Sequence, residues 1–244
     1  MLASLPEKMK TRLVFATVGL VQGFVYYLAY EFWPDTVTPR ALTAAALYFI
    51  TGIALTNHLA WTGKDIKRLA LVASAAPLVF ALVALWVWLQ VPIGDVPYRS
   101  DDVRLPTSIF SAIVSLYILL PGIQIFQETG SRSFPYHELF RRFWDNIFIV
   151  AIAAFVTWSF WAVILLWSEL FKLIEVTLFD DVFTHEAFLF MGLSVVFGYG
   201  VALGREWEKL TATARNMVLT VLKALLPLLA VIALLFLVSL PFTG

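Results

Sequence analysis

Apolar residues in this chain gather into seven long runs separated by short polar stretches. The runs cover roughly 12–32, 41–60, 69–91, 106–127, 143–168, 187–204 and 217–240. A helix rises 1.5 Å per residue and the hydrocarbon core of a bilayer is about 30 Å thick, so about 20 apolar residues suffice to cross it. Lipid offers no water to unpaired backbone groups, which forces each run into a continuous helix. The pattern predicts an all-α polytopic membrane bundle of about seven transmembrane helices, built as a single integral membrane domain over 1–244. The first run follows MLASLPEKMKTR, is long, and ends without a small-x-small cleavage site. It is expected to be an uncleaved first membrane helix.

Two segments alternate apolar and charged positions at helical spacing. Residues 134–142 (FPYHELFRR) predict a short amphipathic lead-in to the fifth span. Residues 168–179 (SELFKLIEVTLF) predict its outward continuation, or a helix resting in the headgroup region.

The basic residues give the bundle a direction. Lys8, Lys10 and Arg12, then Lys64, Lys67 and Arg68, then Arg132, Arg141 and Arg142, then Arg205, Lys209, Arg215 and Lys223 all fall on one side of the predicted membrane. Arg40, Arg99, Arg104 and Lys172 fall on the other. Thirteen against four is the asymmetry expected of cytoplasmic and external connections, and it predicts N-in/C-out. Tryptophan follows the same frame. Trp33, Trp86, Trp88 and Trp167 sit near predicted outer ends, and Trp61, Trp144 and Trp207 near inner ends, where an amphipathic ring meets water. Trp158 and Trp161 lie deep and three apart, hence on one helix face.

Composition adds that 61% of the 244 residues are hydrophobic and only 14% charged, with a mean hydropathy of +0.85. That excess over a soluble domain makes the lipid bilayer a necessary partner. Zero net charge gives no argument for nucleic acid. The absence of cysteine excludes disulfides, thiolate metal sites and cysteine nucleophiles.

Four stretches carry a resemblance: FPYHELFRRFWDN (134–146), LLWSELFKLIEVTLFDDVF (165–183), FGYGVALGREWEKL (197–210) and LLPLLAVIALLFLVSLPFTG (225–244). On them the second half of the chain resembles an uncharacterised bacterial inner-membrane family, domain of unknown function 4153. The distinctive elements are the Pro-Tyr-x-x-Leu-Phe start, the Trp-x-Asn step and the closing Pro-Phe-Thr-Gly. Two features depart from it: Asp145 stands where the family tends to a basic residue, and the family usually continues past the motif that ends here at Gly244. The resemblance implies a bacterial inner (cytoplasmic) membrane location and no assigned activity.

Candidate chemistry is sparse. Ionisable residues inside spans are costly and mark function, and this chain has few. Asp145 lies three and four residues after Arg142 and Arg141, which makes these three a candidate charge pair at one helix end. Gln22 and Gln124 are candidates for a solute path, although amides and hydroxyls in spans more often tie helices together. Gly198, Gly200 and Gly204 are candidates for close helix packing, the last two at GxxxG spacing. Pro77, Pro121 and Pro227 fall within spans, and Pro121-Gly122 is the expected break. The 175–186 loop gathers Glu175, Asp180, Asp181, His185 and Glu186, in a spacing that matches no metal or catalytic motif. His58 and His137 stand alone at inner helix ends. No catalytic, cofactor-binding or metal residues are assigned. The expected function is a non-enzymatic envelope protein that packs against itself or a membrane partner. A small-solute transporter or channel is the alternative, and an enzyme active at the outer face the third.

Overall fold

The computed structural model describes residues 6–61, 66–90, 104–172, 182–183 and 185–207, with helical residues at 213, 216–220, 223–227, 230–231 and 234. Six helices span α1 (Glu7–Glu31), α2 (Val37–Ala60), α3 (Ile66–Leu89), α4 (Arg104–Thr129), α5 (Tyr136–Lys172) and α6 (Glu186–Glu206). Among the described residues there is no strand. All six are long and apolar enough to cross a membrane, so the chain is a multi-pass membrane protein built as a helical bundle. A seventh, shorter apolar helix covers Asn216–Pro227. Much of the predicted last span, 217–240, lies outside the described residues, as does 173–179 of the segment after α5. The chain divides into two compact units, Met1–Glu206 and Trp207–Gly244. The six long helices all belong to the first.

The helices run longer than their apolar runs because polar turns, at the N-terminal end of each and at both ends of α4, α5 and α6, continue the hydrogen-bond ladder. The lead-in at 134–142 is not a separate surface helix. From Tyr136 onward it is the first part of α5, a helix of 37 residues, or about 55 Å at 1.5 Å per residue. Nothing in FPYHELFRRFW would stop it: Pro135 sits just before the first turn, and its carbonyl accepts from Glu138 N and Leu139 N at 3.1 Å. Nor does α4 break at Pro121-Gly122, through which it runs on to Thr129. A proline inside a helix deletes one ladder bond, and neighbouring helices hold the rest in place. The helix ends instead at Gly130, whose φ of 69° fits the left-handed cap and whose N–H reaches the Phe126 carbonyl at 2.8 Å.

Packing is organised around α6, which lies along α1 on one side and α5 on the other, while α2 pairs with α3. The contacts run in opposite sense along the two helices: Phe15, Gly19 and Gly23 of α1 meet Gly198, Ser194 and Phe190 of α6 in turn. Ala153 and Ile149 of α5 meet Gly200 and Gly204. Both pairs are therefore antiparallel, as neighbours in an up-and-down bundle are. Its core is Phe15, Leu59, Leu120, Ala153, Val201 and Ala202, near the end where α1 begins and α6 ends.

Candidate functional site

Two features of the bundle stand out, one polar and one apolar, at opposite ends.

The polar feature surrounds the end of α2. The last carbonyls of any helix have no partner within it, and here His58, Leu59 and Ala60 are buried, away from water. Neighbouring helices supply the donors. Arg205 of α6 donates Nη1 to the His58 carbonyl at 2.9 Å and Nη2 to the Trp61 carbonyl. A cation at a helix C-terminus also matches the helix dipole. Its guanidinium carbon lies 5.5 Å from the centre of the Phe15 ring. Gln124 of α4 donates Nε2 to the Leu59 carbonyl at 2.9 Å and to Asn146 Oδ1 of α5, also at 2.9 Å. Asn146 Nδ2 returns toward Gln124 Oε1 at 3.4 Å. His58, 1% exposed, sets Nε2 3.2 Å from the Phe15 carbonyl of α1. Five helices therefore meet in one network. Gly198 makes room for it: a methyl there would run into the Phe15 carbonyl and stand 3.2 Å from His58 Nε2.

Ion pairs frame the same end. Arg12 makes two bonds to Glu206, Nε–Oε1 at 2.8 Å and Nη2–Oε2 at 2.6 Å, joining α1 to α6. Arg142 donates Nη1 and Nη2 to the two carboxylate oxygens of Glu128 at 2.9 and 2.7 Å, joining α5 to α4. Arg141 donates to Glu138 at 2.7 Å. The sequence grouped these two arginines with Asp145; the structure also sets Arg142 on Glu128, at the end of α4, and Arg141 on Glu138, one turn earlier in α5.

The other candidates separate. Gln22 and Gln124 bond to different partners. Gln22 donates to the Tyr26 hydroxyl at 2.9 Å, and that hydroxyl meets Thr51 Oγ1 across the α1–α2 contact. Thr51 and Thr157 also turn back to carbonyls of their own helices, Leu47 at 2.6 Å and Ala153 at 2.8 Å. Gly200 and Gly204 sit against α5, where a methyl would stand 2.8 Å from Ala153 Cα and 3.2 Å from Ile149 Cα. Gly19 and Gly23 leave even less room against α6. They have the same GxxxG spacing, the signal that could have found them in the sequence. Of the acidic loop, residues 175–181 and 184 lie outside the described residues. His185 is exposed, and its Nδ1 accepts the Ala187 N–H at 3.2 Å at the start of α6. Among the described residues, no group of three His, Asp or Glu side chains gathers to hold a metal.

The apolar feature is a partly open cavity of about 480 Å³. It lies among the C-terminal half of α1, the middle of α2, α3, α4 and the start of α6. Tyr30, Trp33 and Trp88 line one end, and Leu55 and Leu116 the other. Its wall is almost wholly apolar. The small residues Ala29, Ala44 and Ala112 lie on its wall, while the bare face of Gly52 is turned to Pro77 of α3, which a methyl would meet at 2.6 Å.

No family model, curated protein or solved structure matches this chain.

Proposed function

We propose that this chain is a non-enzymatic protein of the bacterial inner membrane, with its N-terminus in the cytoplasm, that acts by packing against a partner or a second copy of itself. The location follows the family resemblance of the second half, and the orientation follows the thirteen-to-four division of basic residues.

One observation carries the non-transporting part of the reading. The buried amides, imidazole and guanidinium at the α2 end are spent on each other and on helix carbonyls. A hydrophilic solute needs polar groups converging on a wet path. Here Gln22 and Gln124 bond to different partners, and neither lines the cavity.

Vesicles reconstituted with the protein and loaded with small polar solutes should stay as tight as protein-free vesicles. A protein-dependent flux lost on substituting Gln22→Leu or Gln124→Leu would overturn this reading and put the transporter first.

A further inference from the structure

We infer that the exposed face of α5 pairs with the same face of a second copy of this chain, about a two-fold axis along the membrane normal, through reciprocal hydrogen bonds between Trp158 and Ser159. The inference rests on the packing role and names its partner and its surface.

Helical spacing sets the face. Phe155, Trp158, Ser159, Ala162, Val163 and Leu166 recur three and four apart, and all six are exposed. The buried Ala153, Ile164 and Ser168 lie on the other side of the helix, where Ala153 meets α6.

Depth makes this face costly to leave in lipid. Asp145 and Glu169 bracket the uncharged part of α5. Trp158 stands 13 residues from the first and 11 from the second, about 20 and 17 Å along the axis. That is the middle of the hydrocarbon, far from the headgroup depth where a tryptophan N–H is served. Trp158 is nevertheless 68% exposed.

Two polar groups on the face are unserved. Among the described residues, neither Trp158 Nε1 nor Ser159 Oγ has a hydrogen-bond partner. Other exposed hydroxyls in the spans turn back to their own helices: Thr17 to the Leu13 carbonyl at 2.8 Å, Thr43 to Pro39 at 3.0 Å and Ser74 to Ala70 at 2.7 Å. Ser159 does not. Trp161 holds the Trp158 ring from the side, edge to face at 5.9 Å.

The two groups complement each other. An indole only donates, and a hydroxyl also accepts. One helix therefore carries a donor and an acceptor on adjacent residues. A two-fold axis sets the donor of each copy on the acceptor of the other, an isologous contact. Lipid tails offer neither group, and the small Ala162, one turn on, lets two backbones approach.

The test reconstitutes the full chain in vesicles of phosphatidylethanolamine and phosphatidylglycerol and counts copies by single-molecule photobleaching as lipid dilutes the protein. Dimers should predominate. Trp158→Phe and Ser159→Ala should each raise the dimer dissociation constant at least fivefold. The double variant should lose clearly less than the product of the singles, because both break one bond. Both side chains are exposed, so thermal unfolding of the diluted single copy should not move. The chain has no cysteine, so oxidation should link copies of Ala162→Cys and leave Leu82→Cys, on the exposed side of α3, unlinked. Single copies at every dilution would overturn the inference. So would dimers that neither variant weakens, or links through Leu82→Cys with none through Ala162→Cys. These last two results remove this face and leave the packing role standing, which the solute-flux measurement tests by itself.

Discussion

Gln124 shows how much one side chain can carry in a membrane bundle. Its amide nitrogen closes the end of α2 through the Leu59 carbonyl and also pairs with Asn146. Gln124→Leu leaves both acceptors unserved. A polar hydrogen bond between membrane helices averages about 0.6 kcal/mol, but stranding a buried partner costs about 1–3 kcal/mol. The stranding cost decides here, because Gln124 is 8% and Asn146 1% exposed. Unfolding measured in mixed detergent should show a loss of about 1–2 kcal/mol for Gln124→Leu. The double variant Gln124→Leu, Asn146→Leu should lose clearly less than the sum of the singles. Arg205 makes a sharper case. Arg205→Lys keeps a cation but cannot reach two carbonyls with a fixed fork, so it should fall between wild type and Arg205→Met in thermal stability. The sequence marked Gln124 as polar within a span and Arg205 as one more basic residue at the inner end. It could not assign their partners. Those sit on other helices, at separations of 22 residues for Asn146 and 147 for His58, which no local periodicity encodes. His58 reads in sequence as an interfacial histidine and is in fact buried, because Phe15 of α1 comes across to cover it.

At the scale of elements, α6 is the organiser, and glycine is the reason. It needs two close approaches, to α1 through Gly198 and to α5 through Gly200 and Gly204. Gly200→Leu must push Ala153 away, and overpacking of this kind costs about 1–3 kcal/mol. The variant should lose thermal stability and yield of monodisperse protein. Gly192 is the internal control. A methyl there meets only the Phe188 ring of the same helix, at 3.7 Å, an ordinary contact. Gly192→Ala should be neutral or stabilising by up to about 1 kcal/mol in the same assay, since alanine favours helix. Gly200 and Gly204 were legible because spacing alone marks them, and Gly19 and Gly23 follow the same rule. Helix lengths were less legible. Hydropathy marks where lipid contact stops, whereas a helix stops where its hydrogen bonds find a cap, as α4 does at Gly130. That difference turned a separate lead-in into the first turns of α5.

For the molecule as a whole, the apolar pattern gave the fold class directly, because the bilayer length and the need to pair every backbone group leave few other solutions. The cavity was not legible at all. Its wall draws the small residues Ala29, Ala44 and Ala112 from three helices, and small residues on separate helices carry no joint signal. The central claim is that six helices cross the bilayer in alternation, with the start of α1 on the cytoplasmic side. The native chain has no cysteine, so single cysteines report their own side without background. Asp35 lies in the turn between α1 and α2, Ser131 in the turn between α4 and α5, and both are exposed. Three crossings separate the two turns, so they belong to opposite faces. In intact spheroplasts a membrane-impermeant maleimide should label Asp35→Cys and spare Ser131→Cys until the membrane is permeabilised. Labelling of both from the same side would contradict the account.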